Sequence, residues 1–112
     1  MEIDTAVRSL AALAQDSRLQ AFRLLVQAGP EGLAAGEIGE RLGIPASTLS
    51  FHMKSLNQAG LVESRQESRF VYYSANFEAM NALLGYLSDN CCGGRSCAPT
   101  ASPTRRKNIR EA

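Results

Sequence analysis

Outside residues 91–97, this 112-residue sequence has no cysteine. The three that do occur are an odd number, which argues against a disulfide framework and for a reducing, cytoplasmic setting. There is no run of about 18 apolar residues, which excludes a helix that spans a membrane. The opening residues Met1-Glu2-Ile3-Asp4-Thr5 carry no basic stretch, so no secretory signal is expected. Net charge is also nearly absent, at +1, but it is unevenly placed. Residues 98–112 hold Arg105, Arg106, Lys107 and Arg110 against Glu111, so the rest of the chain is slightly acidic. A nucleic-acid role must therefore rest on local arrangement and not on bulk charge. No nucleophile–base pair and no phosphate-binding glycine loop is visible, so no catalytic machinery and no organic cofactor is expected.

What is present is enough for one modest core. Residues 5–14 read as a helix with Val7, Leu10 and Leu13 on one side. Asp16 is placed to cap the next helix, which carries Leu19, Phe22, Leu25 and Val26 and stops at Gly29-Pro30. A loop, PEGL, follows. A short helix over 35–42 turns Ile38 and Leu42 inward, Gly43-Ile44-Pro45 makes a turn, and a helix over 46–59 buries Leu49, Met53 and Leu56. Gly60 ends it. Two strand-like runs, 61–65 and 69–74, are joined by Gln66-Glu67-Ser68. The last helix, 76–90, has a wide apolar stripe of Phe77, Met80, Leu83, Leu84 and Leu87. The tail 98–112 is rich in Pro, Ser and Thr, then basic, and reads as disordered. The expected class is mainly α with a β-hairpin, in the order ααααββα: a winged helix-turn-helix. Residues 1–90 form the domain, with 91–97 as an appended segment.

A short helix, a glycine-containing turn and a second helix is the pattern that sets a recognition helix into the major groove of double-stranded DNA. With Leu49, Met53 and Leu56 inward, the opposite face of residues 46–59 carries Ser47, Phe51, Lys54 and Gln58, flanked by Thr48, Ser50, His52 and Ser55. Hydroxyls can reach phosphates or base edges, Lys54 can meet a phosphate, and Phe51 can lie on thymine methyls. Arg65 and Arg69 flank the tip of the hairpin and could grip neighbouring phosphates. The bland alternative is an ordinary solvated helix face, which leaves Phe51 unexplained.

LAQDSRLQAFRLL (13–25), GEIGERLGIPASTLSFHMKSLNQAGLVESR (36–65) and RFVYYS (69–74) resemble the ArsR/SmtB family of winged-helix metal-sensing repressors. The resemblance implies a homodimer built mainly from the first and last helices. It also implies that Ser47, Thr48, Ser50, His52 and Lys54 stand at the positions that meet an operator.

Cys91, Cys92 and Cys97 are the candidate sensor. Thiolate sulfur selects soft, thiophilic ions. Trivalent arsenic and antimony bind three sulfurs in a pyramid, and Gly93-Gly94 would let the chain return Cys97. The resemblance points the same way, since some arsenic-responsive members carry a vicinal cysteine pair and a third cysteine after the last helix. The founding Cys-Val-Cys site has no counterpart in Gly36–Leu42, and the last helix lacks the histidines of the family's zinc sites. The expectation is therefore a cytoplasmic repressor released by As(III), with Sb(III) as a second inducer. A redox switch, a cadmium or zinc site, and an arsenic carrier or enzyme stay open as alternatives.

Overall fold

The computed structural model describes residues 1–94. Among these, the elements run α1 (Ile3–Leu13), α2 (Asp16–Ala28), β1 (Leu33–Ala34), α3 (Ala35–Leu42), α4 (Ala46–Gln58), β2 (Val62–Glu67), β3 (Phe70–Ala75) and α5 (Phe77–Ser88), with a 3₁₀ turn at Cys91–Gly94. The winged helix-turn-helix expected from the sequence is the fold observed.

The centre is one apolar cluster. Leu25 of α2, Ile38 of α3, Met53 and Leu56 of α4, and Leu61 at the entry to β2 are all fully buried in it. Each such side chain stabilises the fold by about 2 kcal/mol relative to exposure. The α3–α4 turn closes through Gly43, whose φ of +69° suits a residue without Cβ, and Ile44 N donates to the Gly39 carbonyl. Asn76 fixes the other end of the reading unit. Its backbone N–H donates to Leu61 O, its side-chain amide donates to Gly60 O, and its Oδ1 caps α5 through Ala79 N.

Several expectations are corrected. Asp16 is the first residue of α2 and not its cap; the preceding Gln15 accepts from Arg18 N at 3.0 Å. The stripe Val7, Leu10, Leu13 divides. Ala6 and Ser9 are buried and Leu13 is half-buried, while Ile3, Val7 and Leu10 face outward. Leu19 is also exposed. The hairpin turn is Ser68-Arg69, between the paired residues Glu67 and Phe70, and Ser68 takes the positive φ of 62° that a two-residue hairpin turn demands.

The PEGL loop ends in β1, which pairs antiparallel with β3, so the sheet order is β1-β3-β2. Two residues give no periodicity, and what permits the pairing is Gly32. It has φ of +74°, and a Cβ built there would overlap the carbonyl oxygen of Tyr73. Gly32→Ala is accordingly expected to lower stability by about 3 kcal/mol, combining positive-φ strain with a backbone clash. Chemical denaturation of the two proteins checks this, and a loss within 0.5 kcal/mol, the ~0.5 kcal/mol scatter of ordinary surface changes, contradicts it.

Candidate nucleic-acid interface

Burial of Leu49, Met53 and Leu56 fixes the roll of α4, and the remainder follows from helical geometry. Ser47, Thr48, Ser50, Phe51, Lys54 and Gln58 are exposed, as the spacing predicts. Phe51 is 64% exposed, an unusual state for an aromatic on a small domain. Pro45 is the N-cap of α4 and no side chain caps it. The N–H groups of Ala46, Ser47 and Thr48 therefore have no intrahelical acceptor, and they open beside two exposed hydroxyls. Such a helix start can receive a phosphate oxygen.

His52 does not share that face. It is 8% exposed, its Nδ1 lies 3.4 Å from Arg18 Nη1, and its ring meets Phe51 edge-on with centroids 5.7 Å apart. The expectation that it meets DNA is corrected: it is a buried support beneath the face. One position on a helix turns the side chain by about 100°, and this carries His52 to the Met53 side of the boundary.

The two wing arginines also differ. The Arg65 guanidinium donates through Nε to Glu67 at 2.7 Å and through an η-nitrogen to the Glu31 carbonyl at 3.0 Å, and it lies over the Tyr72 ring at 4.9 Å. It braces the hairpin against the loop before β1, so a phosphate would have to compete with Glu67 for it. Arg69 is exposed at the tip and has no ion-pair partner among the described residues. Beside it Phe70 is 55% exposed, a tip aromatic whose residue type alone marks it only as strand-forming. Its place in the hairpin depends on the turn, which lies at Ser68-Arg69 and not at Gln66-Glu67-Ser68.

At the far end of α5, Cys91 Sγ and Cys92 Sγ are 3.8 Å apart. Cys92 has φ of +57°, and Gly93 and Gly94 continue with +66° and +92°, so the chain reverses sharply here. Cys97, and the tail 98–112, lie outside the described residues. No cluster of three or more His, Cys, Asp or Glu side chains suited to an ion occurs among the described residues. No helix there is long and apolar enough to cross a membrane.

Comparison with known proteins agrees with the helix-turn-helix fold. Residues 13–65 match the helix-turn-helix domain family. The chain is 40% identical over 77 residues to YceK of Bacillus subtilis, an uncharacterized HTH-type transcriptional regulator, covering 68% of this chain and 76% of that protein. It is 32% identical to the arsenical resistance operon repressor of Bacillus subtilis, covering 72% and 73% of the two chains. The chain belongs to the ArsR family of winged helix-turn-helix transcriptional regulators. Among solved structures, the homodimeric winged helix-turn-helix domain Mb0332 of Mycobacterium bovis, described as a possible ArsR-family regulator, superposes with a TM-score of 0.63 at 30% identity. The match covers 87% of this chain and 90% of that one. As an ArsR-family member the protein is a transcriptional regulator and not an enzyme.

The exposed groups generate distinct expectations for DNA. Lys54→Ala and Arg69→Ala should each weaken binding to all sequences alike and reduce the salt slope by about one unit. Ser47→Ala or Phe51→Ala should instead change which bases are tolerated. Fluorescence anisotropy across a salt series reads both, and an unchanged slope for Lys54→Ala together with Arg69→Ala contradicts the docking.

Proposed function

We propose that this ArsR-family regulator is a dimeric, cytoplasmic repressor that binds a two-fold operator in double-stranded DNA and leaves it when trivalent arsenic, or antimony, binds Cys91, Cys92 and Cys97. The observation that carries the reading is that every cysteine of the chain falls within residues 91–97, just after α5 in sequence, and that the Cys91 and Cys92 sulfurs lie 3.8 Å apart. Sulfurs at that separation are near enough to share one thiophilic ion. Adjacent cysteines in continuous helix would point apart; the left-handed backbone at Cys92 brings them onto one side. The donor set is all sulfur, which suits a soft ion. The relative named as an arsenical resistance operon repressor supports the same chemistry.

The dimer reading rests on a second observation. Ile3, Val7 and Leu10 of α1, and Leu84 and Leu87 of α5, are all exposed by 43% or more, and these two helices lie against each other. Contiguous exposed apolar residues of this kind mark an interaction surface, and the Mb0332 relative is homodimeric. Two copies joined there present two α4 helices to half-sites about 34 Å apart. Cys91 and Cys92 follow that surface, a few residues beyond Leu87. An ion that organises residues 91–97 can therefore bias dimer geometry. About 3 kcal/mol of coupling weakens DNA binding roughly 150-fold.

Two experiments test this. Val7→Asp places a charge in the apolar surface and should give a monomer with operator affinity at least tenfold weaker; sedimentation of a stable dimer contradicts the interface. For the sensor, Cys91→Ser and Cys92→Ser should bind operator normally but resist release by both inorganic and monomethylated As(III). Cys97→Ser should respond to the monomethylated form, which needs only two sulfurs, and fail with inorganic arsenite. If Cys97→Ser ignores monomethylated arsenic while Cys91→Ser or Cys92→Ser still responds, the vicinal pair is not the primary chelate.

A further inference from the structure

Neither Arg18 nor His52 stands on the exposed reading face, yet together they link three helices through polar contacts. Arg18 is half-buried on α2. Its Nε donates to the Ala12 carbonyl at 2.7 Å, one of the last carbonyls of α1, which have no acceptor role within the helix. A cation at that end also suits the helix dipole of α1. Its Nη1 reaches His52 Nδ1 on α4 at 3.4 Å, a long hydrogen bond. Arginine only donates, so Nδ1 accepts in this contact. No carboxylate lies within ion-pair distance of Arg18 among the described residues. A half-buried guanidinium without a carboxylate offers its directional fork, which fixes the angle between two acceptors.

The path continues at both ends. α1 carries the exposed Ile3, Val7 and Leu10. His52 packs edge-on against Phe51, which is 64% exposed on the outer face of α4. The contacts thus run from the helix with the apolar outer surface, through Arg18 and His52, to an aromatic on the DNA-facing side. We propose that Arg18 and His52 are positioning residues that lock the angle of α4 to α1, so that the two recognition helices of a dimer keep the spacing of a two-fold operator. The inference rests on the dimeric reading and deepens it. It makes neither residue a DNA contact: each acts through the orientation of α4, with Phe51 as the nearest group to the nucleic acid.

The test separates spacing from contact. A two-fold duplex is selected from random DNA by the wild-type protein, and a second duplex has one half scrambled. His52→Leu keeps volume and removes the acceptor; Arg18→Lys keeps charge and removes the fork; His52→Asn keeps an acceptor near the place of Nδ1. His52→Leu and Arg18→Lys should each weaken full-duplex binding about tenfold, or about 1.4 kcal/mol, with half-duplex binding changed less than twofold. The double variant should be no worse than either single, because both remove one link. His52→Asn should return to within threefold of wild type. Equal losses on both duplexes, full additivity in the double variant, or a His52→Asn as defective as His52→Leu would overturn the link. Should His52→Leu fail to fold by circular dichroism, Arg18→Lys must show the same split between duplexes, and its absence overturns the proposal. Sedimentation of the same samples distinguishes the two levels: a monomeric wild type overturns the dimer and the link with it, whereas a dimer with equal losses overturns the link alone.

Discussion

The shape of this protein depends on how one face of α4 is locked. Met53 and Leu56 have no exposed surface, and they share a cluster with Leu25, Ile38 and Leu61, which have none either. Close packing of that kind leaves a helix no freedom to roll, because each side chain fills space that neighbours define. The opposite face is then fixed as the outer one. Ser47, Phe51 and Lys54 stand outward as a consequence of what stands inward. α3 and the Gly43 turn serve the same end by setting the start of α4, and Asn76 holds the strand that leaves it.

Elements whose signal is local were readable from residues alone. The 3.6-residue spacing of Leu49, Met53 and Leu56, and the glycines at 29, 43 and 60, mark helices and their ends within a residue or two. Elements decided by distant parts of the chain were not. β1 exists because Tyr73 passes beside Gly32, some forty residues away in sequence. His52 meets Arg18, 34 residues earlier, a partner that its own helix spacing does not announce. Arg65 is engaged by Glu31 and Tyr72, so its spacing alone made it look like a free phosphate grip. In α1 the apolar stripe was visible, but an isolated sequence does not say whether such a stripe faces its own core or another copy. Here Val7 and Leu10 face outward and the small residues Ala6 and Ser9 face inward, which lets α1 lie close while offering its larger side chains to a partner.

The proposed sensor is consistent with that division of labour. Cys91 and Cys92 lie outside the core and outside the reading face, so an ion there changes neither directly. What they adjoin is the exposed apolar part of α5. Coupling then requires only that bound and free forms differ in how two copies sit together. α1 and α4 are joined through Arg18, so a shift at the dimer surface would arrive at the recognition helix as a change in angle, with no need to melt the fold.

The central claim is that a thiophilic ion, and not an oxidant, empties the operator. The direct measurement is a titration of the full-length wild-type protein on its own promoter DNA, followed by anisotropy, with As(III), Sb(III), Cd(II), Zn(II) and peroxide in parallel. The account predicts release by As(III) and Sb(III) near one equivalent per chain, with Zn(II) and peroxide leaving the complex intact. Release by peroxide at the same level, or a complex that arsenic does not disturb, would contradict it.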